Sequence, residues 1–317
     1  MSDRTSTRAG WLYAAQFVVC ISVLSIIYQI ATERGIHVVA FILLSMSFAG
    51  AALLLATGRH AQTAEILREP MTWWLGAAFI LLEASYYVAI TQIPPAESSV
   101  ILRLALPISL VVGVLLFARR PGRLAWVGAA VVVGGVGLMF AGFDLEAAWL
   151  GMLSGLLAVG WLTLRTFVSE WHPQNRAART VWDKLRVTGV LIVAMSLVFA
   201  LVIGALVTAV ALGALPETPL LPRPAAFLDL QTIALSAGFG AAVFSALNYF
   251  QFSAVVALGS ERFLAVTVLL PVAVVVAQAI ASGFGLIAAP VFNWDLVPVL
   301  ALVIVGSTMV AVGGRQT

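Results

Sequence analysis

The chain has 317 residues, 62% of them hydrophobic and 10% charged, with a formal net charge of +3 and one cysteine. A soluble domain covers its surface with about a quarter charged residues, so this composition excludes an ordinary soluble domain and calls for an apolar solvent. The basic residues sit in loops between apolar runs, which excludes a nucleic-acid binder, and the lone Cys20 excludes an intramolecular disulfide.

About 20 apolar residues carry a helix across the hydrocarbon of a bilayer, and ten such runs follow one another. Span 1 covers 11–31, after Arg4 and Arg8. It exceeds the roughly 7 to 15 residues of a signal-peptide core and ends in Thr32-Glu33-Arg34, so it reads as an uncleaved span. Span 2 (37–56) is followed by a polar stretch from Thr57 to Glu69. Spans 3 (71–92) and 4 (95–117) are joined at the Pro94-Pro95 turn. The basic turn from Arg119 to Arg123 precedes span 5 (124–142), and the acidic break from Asp144 to Glu146 precedes span 6 (147–168). The charged stretch from Trp171 to Arg186 leads to span 7 (187–213), and a proline-rich loop from Pro216 to Pro224 leads to span 8 (231–257). Spans 9 (261–284) and 10 (294–313) complete an all-α integral membrane protein.

Lys and Arg collect in cytoplasmic loops. With the N-terminus inside, fourteen basic residues fall on the cytoplasmic side, among them Arg59, Arg119, Arg165, Arg262 and Arg315, and only Arg34 and Arg223 on the other. Both termini are therefore expected in the cytoplasm, with the chain in the inner cell membrane. Arg165 and Arg262, near span ends, are expected to snorkel to the interface.

The segment from Glu97 to Pro107 (ESSVILRLALP) has a counterpart from Glu261 to Pro271 (ERFLAVTVLLP). Two halves of five spans each, 1–142 and 143–317, must insert with opposite orientation, because five is odd. Inverted repeats are a recurrent transporter architecture with the solute site near the midplane. Pro107 and Pro271 remove backbone hydrogen bonds at matching positions and are candidate hinges.

The stretch QIPPAESSVILRLALPISLVVGVLLF, the glycine-rich VGAAVVVGGVGLMFAG after it, and the echo VVALGSERFLAVTVLLPVAVVVAQ resemble the drug/metabolite transporter superfamily, in its EamA-like branch. The resemblance spans nearly the whole chain and implies a secondary transporter, as an exporter or permease of a small metabolite. Many members carry a glutamate at the end of the span corresponding to span 4, where this chain has Arg119-Arg120.

Glu83 lies deep in span 3 and Arg103 in span 4, at similar distances from the Pro94-Pro95 turn, so an ion pair between them is sterically allowed. Charges at this depth face a partner, a cavity or a substrate. Three roles are open: a structural pair, contact with a charged or zwitterionic solute, or proton carriage by Glu83. Arg103 stays charged and carries no protons. Tyr86 and Tyr87 share part of the Glu83 face, and Asn248 and Gln251 lie on one face of span 8. Trp161 in span 6 completes the candidate substrate-binding set, with Gln16, Thr267 and Gln278 weaker.

His37, His60 and His172 are isolated, so neither a metal nor a cofactor is expected. No GxxxxGK[ST] loop marks a nucleotide site, and no HExxH motif or intramembrane Ser/His pair marks an enzyme. A lipid or lipid-linked substrate flippase and an uptake facilitator remain alternatives. The expected partners are a small-molecule substrate and membrane lipids. Glycines in spans 5, 6 and 10 permit close helix approach, which leaves a homodimer open.

Overall fold

The computed structural model describes residues 2–58, 62–216, 218, 221–288, 294 and 296–313; Arg59, His60 and Arg315 lie outside the described residues. The described chain is built of helices joined by turns. Ten helices are long and apolar enough to cross a bilayer: Arg8–Glu33, Val38–Thr57, Pro70–Gln92, Pro95–Phe117, Arg123–Ala141, Ala148–Trp171, Val181–Ala211, Leu230–Leu258, Ser260–Gly283 and Leu296–Gly313. They are spans 1 to 10, and the protein is a multi-pass membrane protein. Large apolar side chains such as Leu115, Leu201 and Val305 are exposed along the outer faces, where only an apolar solvent stabilises them.

The span ends follow local chemistry. Asp144 accepts from the Glu146 amide at 3.1 Å and Asp229 from the Thr232 amide at 2.8 Å, each an N-cap that satisfies an otherwise orphaned donor. Span 7 starts at Val181 instead of the expected 187 because Thr180 and Asp183 form a capping box ahead of it. Charged residues that read as loop are therefore its first turns. There Lys184 Nζ donates to Asn175 Oδ1 at 2.9 Å.

Spans 4 and 9 are each interrupted in the same way. Span 4 passes from helix at Pro95–Ile101 through a 3₁₀ turn at Leu102–Leu104 to helix at Ala105–Phe117; span 9 does so at Ser260–Val266, Thr267–Leu269 and Leu270–Gly283. Pro107 and Pro271 follow the turns, and their missing N–H groups release the carbonyls of Arg103 and Thr267 from the helical ladder. Span 8 carries one π turn, Gly240–Phe244.

Side by side, span 5 packs along span 10, span 3 along span 6, span 2 along span 7 and span 1 along span 8. Glycine sets the closest approaches. Gly128 meets the Gly306 backbone, Gly50 meets Val193 and Gly10 meets Ala257. Of the glycines of span 5, Gly128 and Gly135 are taken up in the span 5–span 10 contact within the chain, whereas Gly134 and Gly137 face open space.

Candidate functional site

A polar cluster lies inside the bundle, on helices that are otherwise apolar there. Glu83 of span 3 is its carboxylate. The Tyr28 hydroxyl of span 1 donates to Glu83 Oε2 at 2.7 Å, and Arg165 Nη1 of span 6 stands 3.8 Å from Glu83 Oε1. Arg165 Nη2 donates to Asn248 Oδ1 at 2.8 Å, and its guanidinium lies over the Phe79 ring, 4.2 Å from the centroid. Asn248 Nδ2 donates to the Phe244 carbonyl at the end of the π turn at 2.8 Å.

Arg103 makes a different set of contacts. Its Nε donates to the Ser99 carbonyl at 3.1 Å, and its Nη1 donates to Thr267 Oγ1 at 2.6 Å and to the Thr267 carbonyl. That carbonyl is the one Pro271 leaves without a helical donor. The guanidinium thus mends the break in span 9 from across the bundle.

Two expectations are corrected. Glu83 and Arg103 do not pair: Glu83 faces Arg165, and Arg103 faces Thr267. Equal depth fixes one coordinate only, and span 3 turns its long contact toward span 6. Arg165 does not snorkel; it is 1% exposed. Span 6 continues to Trp171, six residues beyond Arg165, or roughly 9 Å, so the side chain starts too deep to reach the interface.

Glu83, Tyr86, Arg103, Arg165 and Thr267 line a narrow chamber of about 20 Å³, closed otherwise by apolar side chains including Phe17, Leu162, Phe263 and Leu264. A water needs roughly 10–15 Å³ by this measure, so the chamber admits about one water and no metabolite in this conformation. Tyr86 Oη sits 3.5 Å from Ser25 Oγ. Of the other expected residues, Tyr87 stacks edge-on to Tyr28 with centroids 6.4 Å apart, and Trp161 packs against the core. Neither lines the chamber. Gln251 is fully buried, and neither amide atom has a hydrogen-bond partner among the described residues.

A second polar cluster closes one end of the bundle. Ala118, with φ 51°, turns the chain at the end of span 4 and presents Arg119. Arg119 Nη2 pairs with Glu170 Oε1 of span 6 at 2.7 Å and Nη1 with Glu261 Oε2 of span 9 at 2.5 Å. Glu170 Oε2 also accepts from the Ser260 amide at 2.9 Å and from Ser260 Oγ at 2.5 Å. Phe117 stacks on Phe167 and Trp171, each at 5.1 Å, beneath the guanidinium. This latch ties spans 4, 6 and 9 together.

Tyr28, Arg165, Arg119 and Glu170 were not among the expected site residues. Arg165 was hidden because the span read as 147–168 left it three residues from its end, where a snorkelling arginine is ordinary. Beside the latch, His172 Nε2 lies 3.0 Å from Thr72 Oγ1 and Nδ1 accepts from the Asn175 amide at 3.4 Å. Burial pushes its imidazole down to about 4, with Glu69 opposing and Lys184 adding to the shift. Among the described residues no His, Cys, Asp and Glu group could hold a metal ion.

No family model matches the chain, and no curated protein matches it either. A solved crystal structure of another protein is similar over 98% of this chain and 99% of its own, at 18% identity and a TM-score of 0.57. At that identity the likeness speaks for the fold alone: this chain is folded over its length like that protein.

Proposed function

We propose that this protein is a secondary transporter of a small metabolite, an inner-membrane exporter working by alternating access, built as two inverted five-span halves, 1–142 and 143–317. The observation that carries the reading is the packing pattern. Exchanging the halves maps spans 5 and 10 onto each other, and likewise spans 2 and 7, while the span 3–span 6 pair maps onto span 8–span 1; all four are the long contacts of the bundle. The broken spans 4 and 9 are also exchanged, and Arg103 touches Thr267, its own counterpart in the repeat. A pseudo-twofold axis beside the charged chamber would account for this pattern, and inverted-repeat transporters keep their solute site at such a position. These features fit the resemblance to the drug/metabolite transporter superfamily.

With the orientation expected from the basic bias of the loops, the latch lies at the cytoplasmic face. Closed, it joins span 4 of the first half to spans 6 and 9 of the second. Opening it frees those spans to part at the 3₁₀ turns ahead of Pro107 and Pro271. The test uses one cysteine, Leu264→Cys, in a Cys20→Ser background. With the latch intact, a membrane-impermeant maleimide added at the cytoplasmic face labels this chamber position slowly; with Arg119→Ala, labelling rises several-fold. A chamber that stays unlabelled from both faces in both proteins overturns alternating access.

The flippase alternative has one observation in its favour. An apolar groove of about 380 Å³, bounded by Ile108, Leu116, Phe117, Leu164 and Trp171, lies beside the latch and has the chemistry for an acyl chain. Flux of a labelled lipid exceeding that of water-soluble solutes would select that reading.

A further inference from the structure

We infer that the chamber binds a small organic monoanion, a carboxylate on an apolar body. The inference rests on the transporter reading, because the closed chamber of about 20 Å³ takes such a ligand only when it opens.

The argument is one of charge balance. The charged residues lining the chamber are Glu83, Arg103 and Arg165, all at most 4% exposed. Two guanidiniums therefore face one carboxylate. Arginine keeps its charge in proteins, so the excess is one positive charge with Glu83 ionised and two with Glu83 protonated. Neither state of Glu83 removes it. Arg103 carries the imbalance. Its acceptors are the Ser99 carbonyl and the Thr267 hydroxyl and carbonyl, all neutral, and no carboxylate of the described residues pairs with it. Arg165 adds a second opening, because its Nε is buried with no hydrogen-bond partner among the described residues.

A cation left unpaired in a low-dielectric interior is costly, and an incoming anion removes that cost. A cationic ligand would add to it. The rest of the wall is mostly hydrocarbon and phenyl ring, from residues such as Phe17, Leu162, Phe263 and Leu264, with Tyr86 and Thr267 as its neutral polar members. That favours one charge on an apolar body over a phosphate ester, whose second charge would lack a partner while Glu83 is ionised. A guanidinium fork also matches the geometry of a carboxylate.

The experiment uses compounds of one shape that differ in charge: 4-methylpentanoate, leucine, 3-methylbutylamine and 3-methylbutanol, with inorganic phosphate as a further arm. Binding to the full-length protein in detergent is read from saturable thermal stabilisation, and flux from radiolabelled uptake into proteoliposomes. 4-Methylpentanoate is expected to stabilise the protein most. Arg103→Gln should weaken that response tenfold or more, and Arg103→Lys, which keeps the charge, should retain the preference for the anion. Monodisperse elution of each variant verifies folding. Stabilisation by the amine or by phosphate at or above that of the carboxylate overturns the inference, as does stabilisation by none of them. If the amine is both bound and moved, the anion class falls and transport stands. If the carboxylate is bound through Arg103 without crossing the membrane, the anion class stands and transport falls.

Discussion

The chamber and the latch each gather arginine and glutamate from three spans, 3, 4 and 6 in the one and 4, 6 and 9 in the other, yet they balance them in opposite ways. At the latch one guanidinium, 26% exposed, is matched by two carboxylates at 2.7 and 2.5 Å. In the chamber two guanidiniums stand against one carboxylate, which pairs with Arg165 alone, at 3.8 Å. A pair left partly open to solvent forms and breaks at less cost, because water and salt screen it. A buried charge has no such exchange partner. The contrast separates a contact suited to opening from one suited to holding a charge in wait.

Three measurements would break or sharpen that contrast. The largest effect is expected from Glu83→Leu, which strands Arg165 and the Tyr28 hydroxyl. Thermal or denaturant unfolding in detergent should register a loss of about 3–5 kcal/mol, against about 1 kcal/mol for Arg119→Ala at the screened latch. Equal losses would dissolve the distinction between the two sites.

Next comes pH. His172 is neutral in the folded protein down to about 4, while the unfolded chain takes up its proton near 6.5. The unfolded state therefore binds more protons between those values, and stability falls as pH drops through that window. The full contribution stands above about 6.5, and roughly 3 kcal/mol is lost by pH 4. His172→Gln should flatten the profile over that window; an unchanged slope would assign the titration to another group.

The smallest effect concerns the break in span 9. Pro271→Ala restores an amide able to bond the Thr267 carbonyl, so Arg103 loses part of its task there. In a double-mutant cycle, Arg103→Gln should cost about 1 kcal/mol less in the Pro271→Ala background. Strict additivity would mean that the contact between Arg103 and the Thr267 carbonyl contributes nothing.

The spans were legible in the sequence because length and hydropathy alone decide whether a helix can cross a bilayer, and proline, glycine and charge mark the gaps. Span 7 was read short because Asp183, Lys184 and Arg186 look like loop until Thr180 and Asp183 are seen as a capping box. The chamber was only half legible. Glu83, Tyr86, Arg103 and Asn248 stand out as polar residues deep in apolar runs, and depth can be counted from a turn. The direction each helix faces cannot be counted in that way, so Glu83 was given the partner at its own depth instead of Arg165 on its true neighbour. Tyr28 was hidden for a plainer reason: a tyrosine near a span end looks like an interfacial anchor. The latch was illegible because its members lie 51 and 142 residues apart.

Arg103 is the ninth residue of a span of 23, far from both ends. An anion reaching it from either face would cross roughly half of the membrane's electrical field, equivalent to about 1 kcal/mol per 100 mV. The affinity of that site is therefore partly set by the energised state of the membrane around it, and the same arginine would hold its ligand differently at rest and under load.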